Sequence, residues 1–144
     1  MPNFQPIFPI TPKIEWNKLT TANTAKDGTG TVATVFTAGS SGARIDQIKV
    51  RALGTNVATV LRFFVNNGST NATAANNSLV HEVTIAATTL SETAALVDND
   101  ITIAKNTTET AVPIPYLPAG YKLNVTIGTT VAAGVQVTVH GADY

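Results

Sequence analysis

The sequence predicts an all-β fold: an antiparallel two-sheet sandwich, jelly-roll-like, with an extended proline-rich N-terminal arm. Short segments that alternate apolar and polar residues recur with turn signals about every 8–12 residues, which is typical of sandwiches. Charged residues make up only 12% of the 144 residues, and Thr and Val, which favour strands, are abundant. No apolar helical period is long enough for a crossover helix, so a parallel α/β fold is excluded.

The arm is predicted to span residues 1–12 and to precede a single sandwich domain over residues 13–144. It carries four of the seven prolines, which impose extended geometry. Its apolar side chains need a surface to cover them, and we expect that surface to belong to another subunit. The alternatives are packing on its own sandwich and a disordered arm. The predicted assembly residues of the arm are Phe4, Ile7, Phe8 and Ile10.

The first two strands are predicted at residues 13–19 and 30–38, separated by a polar connector with a turn signal at Lys26-Asp27-Gly28. Residues 43–65 then predict two strands joined as a hairpin by a tight turn at residues 53–56. The second of these is apolar on both faces and is expected near the centre of a sheet. Its only charge, Arg62, is expected to pair with Glu82 on a neighbouring strand or to reach a subunit boundary.

The second half of the chain adds shorter elements. Residues 66–78 are polar and predict an exposed loop, and residues 88–98 predict a single turn or irregular linker more readily than a helix. Strands are predicted at residues 79–87, 101–104, 112–116, 121–127 and 135–140. The strand at 112–116 contains two prolines and is expected at an edge, whereas the strand at 121–127 reads as half-buried.

Composition and spacing disfavour several functions. The net charge is zero, which argues against nucleic-acid binding, and the chain has no cysteine and so no disulfide. The first twenty residues lack the features of a signal peptide, and no apolar run is long enough to cross a membrane. The acidic cluster Asp98-Asn99-Asp100 reads as a polar turn, and His81 and His140 lack a third ligand. We therefore predict no catalytic residues, no metal, no cofactor and no enzymatic activity.

Aromatic side chains raise the question of glycan binding, because their faces suit sugar rings. Trp16 and Tyr121 lie in alternating segments, so core packing is the simpler expectation for them. A glycan partner is therefore possible but not favoured. The candidate residues for such a platform are Trp16, Tyr116, Tyr121 and Tyr144.

Three segments carry a family resemblance. They are LGTNVATVLRFFVNNGS at residues 53–69, ATTLSETAA at residues 87–95 and LPAGYKLNVTIGTTVAAGVQVTVHGADY at residues 117–144. The chain from Lys13 to Tyr144 resembles small structural proteins of tailed bacteriophages and prophages. The marks are the Leu-Arg-Phe-Phe-Val strand, the Leu-Pro-Ala-Gly-Tyr turn and the Gly-Ala-Asp-Tyr terminus, and none of them is a catalytic signature.

The resemblance implies a non-enzymatic capsid decoration or cement protein that binds and stabilises the head lattice. Its implied partners are the major capsid protein and copies of itself in a homotrimer, with no nucleic acid and no membrane. Its implied location is the capsid surface, after synthesis in the cytoplasm of the host bacterium. The alternative is a tail, baseplate or fibre component that binds a host-surface glycan.

Overall fold

The computed structural model describes residues 8–96, 98–101 and 116–144. These residues contain nine strands and one 3-10 turn at Ala74–Asn76, and no α-helix occurs among them. The strands are β1 (Thr11–Leu19), β2 (Ala33–Thr37), β3 (Ala43–Ala52), β4 (Thr59–Asn66), β5 (Asn77–Ile85), β6 (Asp98–Ile101), β7 (Tyr116–Leu117), β8 (Lys122–Ile127) and β9 (Val135–Asp143). They form two antiparallel sheets packed together, so the predicted sandwich is confirmed.

The pairing pattern is that of a chain doubled back on itself. Sheet A has the order β1-β9-β3-β6, with β7 also paired to β3, and sheet B has the order β2-β8-β4-β5. First pairs with last, β2 with β8, β3 with β6 and β7, and β4 with β5, all antiparallel. This nested pairing, divided between two sheets, is a jelly-roll-like arrangement, as predicted.

The hairpin predicted over residues 43–65 is wrong. β3 belongs to sheet A and β4 to sheet B, so the turn between them crosses from one sheet to the other. Asn56 holds this crossing: its Nδ2 donates to the carbonyl of Gly134 (2.8 Å), and its Oδ1 accepts from the amide of Ala133 (2.9 Å). The two strands separate because each buries its apolar face in the same core from opposite sides.

The core lies between the sheets, and β4 is an inner strand of sheet B, as its two apolar faces predict. The largest fully buried side chains are Phe36, Phe63, Phe64, Ile45, Ile48, Leu61, Leu123 and Ile127. Phe64 lies outside the main core cluster, where the connector between β1 and β2 covers it. Gly28 has a φ of +79°, and a Cβ there would lie 3.0 Å from the Phe64 ring. The same turn is held by Asp27, whose pKa is lowered by hydrogen bonds from the hydroxyl and amide of Thr29.

Two further strands differ from their predictions. β8 is buried on both faces, because Asn124 and Thr126 are only 2% and 1% exposed. Its polar face does not meet water, and the hydroxyl of Thr34 donates to Asn124 Oδ1 (2.8 Å).

The acidic cluster at residues 98–100 is a strand, β6, and not a turn. Asp98 forms an ion pair with Arg51 across the sheet (3.1 Å).

Three remaining predictions concern the linker and the residues that follow β6. The described part of the linker, residues 88–96, is irregular and contains no helix, as predicted. The predicted strands at residues 101–104 and 112–116 fall mostly outside the described residues. Tyr116, at the end of the second, begins the short edge strand β7.

Arg62 is paired as one of its two predicted alternatives requires. Its Nε donates to Glu82 Oε1 at 2.7 Å, with the Arg62 side chain 11% exposed and that of Glu82 49% exposed. Nη1 of Arg62 is buried and has no hydrogen-bond partner among the described residues. The guanidinium of Arg62 is therefore largely removed from water, whereas the carboxylate of Glu82 remains half exposed at the boundary of the sandwich.

We expect the two halves of this pair to respond differently to substitution. Glu82→Ala should lower the free energy of unfolding by about 1–3 kcal/mol, because it leaves a mostly buried guanidinium without its carboxylate. Arg62→Met should change it by less than about 1 kcal/mol, because an apolar chain of similar length replaces both the charge and its desolvation. Urea denaturation measures both, with the exposed Glu92→Ala as the control, expected within about 0.5 kcal/mol. A larger loss for Arg62→Met than for Glu82→Ala would contradict this account.

Candidate functional site

In β1 the polar side chains point inwards and the apolar side chains point outwards, which is the reverse of a core strand. β1 alternates as predicted, but Lys13, Glu15 and Asn17 point towards β2, inside the corner of the sandwich. Ile14 and Trp16 point outwards and are 54% and 64% exposed. The expectation that Trp16 packs in the core is therefore wrong.

The reason lies in the neighbouring strand, because β2 is the edge of sheet B and needs partners for its backbone. The amide of Thr37 donates to Glu15 Oε2 (2.7 Å), and Lys13 Nζ donates to the carbonyl of Thr37. Asn17 Nδ2 donates to the carbonyl of Thr34 (3.2 Å). Polar side chains of β1 thus bond an edge that would otherwise be open, which requires polar residues on the inner face.

A small charge cluster fixes β1 at this corner. Lys13 Nζ lies 3.2 Å from Glu15 and 3.4 Å from Asp143, and it sits 5.2 Å from the centre of the Phe36 ring. Asp143 Oδ1 also accepts from the amide of Gly39 (3.0 Å). The first strand, the last strand and the loop after β2 are therefore tied together beneath the outward-facing apolar residues.

The outward-facing residues form what we call the β1 stripe: Phe8, Ile10, Ile14 and Trp16. Phe8 and Ile10 are 68% and 77% exposed, and the amide of Ile10 donates to the carbonyl of Asp143 (2.9 Å), so the chain continues the line of β1. Of the four predicted assembly residues, these two are exposed as an interface requires, while Phe4 and Ile7 lie outside the described residues. Ile14 and Trp16 are additional members that the sequence analysis missed.

The stripe borders a polar surface on the outer face of sheet A. Across the ladder, Ile14 is opposite His140 and Trp16 is opposite Thr138. His81 lies in sheet B, with its ring 6.1 Å from that of Phe63, so the two histidines are in different sheets. Among the described residues, no group of three or more His, Asp or Glu side chains is placed to hold a metal ion.

The exposed aromatic residues do not form one platform. Tyr116 is 63% exposed, but it lies in β7, opposite Arg44. β9 and β3 separate its strand from that of Trp16 by about 14 Å. Tyr116 is level with Ala142 and Trp16 with Thr138, so the two aromatic residues are about 20 Å apart. A hydrogen bond to Asp46 and the charge of that residue raise the pKa of Arg44, so an exposed ion pair lies at this corner. Tyr121, by contrast, packs against the core, as expected.

A groove, here called the outer groove, lies at the other end of the outer face of sheet A. Its volume is about 600 Å³. Its floor comes from β3 and β9 and is polar, whereas its wall is the irregular segment 90–96, which contributes apolar side chains. Leu53 and Leu90, at its rim, are 38% and 54% exposed. The residues that line the groove include Lys49, Arg51, Leu53, Leu90, Ala94, Ala95, Leu96, Asp98, Gln136 and Thr138.

Comparisons with protein-family models, with curated proteins and with solved structures find no match for this chain. Within the described part of the chain, none of the helical structure is long and apolar enough to cross a membrane. The choice between the capsid and the glycan-binding functions therefore depends on the geometry of β1 and its neighbours.

The exposure of the stripe predicts that its strand residues contribute little to the stability of the isolated chain. The free energy of unfolding of the double variant Ile14→Thr/Trp16→Thr should lie within about 1 kcal/mol of that of the native chain. Both side chains are more than half exposed, and Thr suits a strand. Circular dichroism during chemical denaturation measures this without tryptophan. Phe63→Ala, in the core, is the positive control and should cost about 3–5 kcal/mol. A similar loss for the double variant would show that Trp16 is buried in solution.

Proposed function

We propose that this protein is a non-enzymatic structural component of a bacteriophage particle, a decoration or cement protein that binds and stabilises the head lattice. The observation that carries the proposal is the β1 stripe, a row of large apolar side chains displayed on the edge of a sandwich. The sequence resemblance to small phage structural proteins supports it. Its partners in this proposal are the major capsid protein and copies of itself, arranged as a homotrimer on the capsid surface.

Burial of the stripe would supply enough free energy for such a role. Contiguous exposed apolar surface on a soluble domain marks an interaction site. Each large side chain contributes about 1.5–3 kcal/mol when it is buried, before the cost of ordering is subtracted. In a symmetric assembly every copy contributes the same contact, so modest contacts add up to firm attachment.

The surface charge also fits a protein that works inside an assembly. The chain has nine basic and nine acidic residues and a net charge of zero. Several of the charged side chains are engaged in ion pairs, including Arg51 with Asp98 and Arg62 with Glu82. Such a surface gives little electrostatic protection against self-association, which a lattice component does not need. The proposal includes no cofactor, no nucleic acid and no membrane.

The alternative, a tail or fibre component that binds a host glycan, draws on the exposed Trp16 and Tyr116. Their separation of about 20 Å means that one sugar ring cannot stack on both. The polar segment predicted as a loop at residues 66–78 is a loop only between β4 and β5, at residues 67–76. Its amides bond within the protein: Asn71 Nδ2 donates to the carbonyl of Gly30 and Asn76 Nδ2 to that of Thr70, while Nδ2 of Asn77, the first residue of β5, donates to the carbonyl of Asn71. At least one N–H of each of these amides is therefore engaged within the protein, which leaves fewer donors for a sugar, and these observations favour the capsid role.

The proposal predicts that heads hold this chain through the stripe. Particles produced with Ile14→Thr/Trp16→Thr should retain much less of the chain after purification than native particles, as measured by quantitative mass spectrometry. The matched control is Val57→Thr, which alters an apolar residue that is 57% exposed but lies outside β1, and it should be retained normally. A chain found only on tails, or one that binds glycans and loses that binding with Trp16→Ala, would contradict the capsid role.

A further inference from the structure

We propose that residues 8–10 of one copy lie in the outer groove of a second copy, which makes the contact between subunits head-to-tail. This inference rests on the proposed assembly function and specifies which two surfaces of the chain meet. The ligand of the groove is then an extended, proline-containing, uncharged segment of the same protein.

The groove has the size and lining that such a segment requires. A volume of about 600 Å³ lies within the range of sites that hold a drug-sized ligand, and a segment of three residues is of that size. The wall offers Leu90, Ala94 and Ala95 to apolar side chains. On the floor, Gln136 and Thr138 can donate to carbonyl groups of a bound extended chain.

The charges of the groove and the arm are also compatible. Residues 1–12 contain no charged side chain. In the groove, Arg51 is paired with Asp98 at 3.1 Å, and Lys49 lies 4.0 Å from Asp100. A neutral segment can therefore enter without leaving a charge uncompensated. Pro9 has no backbone N–H, so the segment brings fewer donors that need partners.

The direction of the chain shows that the occupant comes from another copy. β1 meets β9 with Thr11 opposite Asp143, and the arm leaves sheet A at that end. The groove floor is further along β9, at Thr138 and Gln136, about 17 Å and 23 Å away for five and seven residues of strand. Because Ile10 bonds to Asp143 and extends the line of β1, residues 8–10 point away from the groove of their own chain.

A contact between two different surfaces is heterologous, and heterologous contacts build rings when the rotation closes. Each copy would give its arm to one neighbour and receive the arm of another. This matches the homotrimer in the proposed function, and it explains why Phe8 and Ile10 are uncovered in a single chain.

Complementation between two variants of the full chain tests the inference. The arm variant is Phe8→Ser/Ile10→Ser, and the groove variant is Ala94→Arg/Ala95→Arg, which fills the groove from exposed positions of the wall. Analytical ultracentrifugation should show that the native chain forms a closed oligomer and that each variant alone associates about tenfold or more weakly. An equimolar mixture should form a heterodimer, because it contains one intact arm and one intact groove, but no closed ring. Controls are Val57→Ser and Thr84→Arg, at exposed positions outside both surfaces, and both should assemble as the native chain does.

Several results would overturn the inference. They are a groove variant that assembles normally, a mixture that stays monomeric, and a native chain that is monomeric at its highest soluble concentration. An oligosaccharide that binds the native groove and not the groove variant would assign the groove to a glycan instead. The amount of this chain in purified heads distinguishes the two proposals. If a monomeric arm variant still decorates heads, the proposed function stands and the contact between arm and groove is refuted. Rings that never appear on heads would retain the contact and refute the function.

Discussion

The fold depends on the position of its last strand. β9 lies inside sheet A, paired along its whole length with β1 on one side and with β3 on the other. Its inner residues Val135, Val137 and Val139 are fully buried, while its outer residues form the floor of the outer groove and the border of the stripe. Pairing between residues more than 100 positions apart is costly in chain entropy, so the sandwich forms only when both ends of the chain come together.

The place of β1 beside β9 determines what the surface can do. At that corner β1 faces the open edge of β2, and its inner side chains act as hydrogen-bond partners for that edge. The apolar residues of an alternating strand then have only the outer face left. The hydrogen bonds from β1 protect the edge of β2 from unwanted strand pairing. The same arrangement leaves Ile14 and Trp16 exposed to solvent, where they are available to a partner.

Period-2 alternation was sufficient to predict most of the described strands, and the sandwich with its jelly-roll character, because alternation reports local geometry. It did not predict β6, which the sequence suggested was a turn. It could not report which face of a strand is covered, since that depends on distant segments. Asn124 and Thr126 are buried on the face of β8 that was expected to meet water, and the edge of β2 reverses the faces of β1. The environments of β8 and of Trp16 were therefore both predicted wrongly. The turn at residues 53–56 looks the same in sequence whether it closes a hairpin or crosses between sheets.

The candidate surface was predictable in part. Apolar residues between prolines identified Phe8 and Ile10, and the single charge in an apolar strand identified the contact of Arg62 with Glu82. Ile14 and Trp16 were missed because an apolar residue in an alternating strand is normally assigned to the core. The available signal was Lys13 and Glu15. These charged residues alternate with Ile14 and Trp16 along the strand, so they lie on its opposite face.

We propose above all that the outward face of β1 is a contact surface in a virus head. Electron microscopy of the intact particle tests it most directly. We expect density for the two-sheet sandwich on the outside of the head, with β1 buried against a neighbouring subunit or the lattice beneath it. A sandwich on the head with β1 facing solvent, or a sandwich found only on the tail, would contradict the claim.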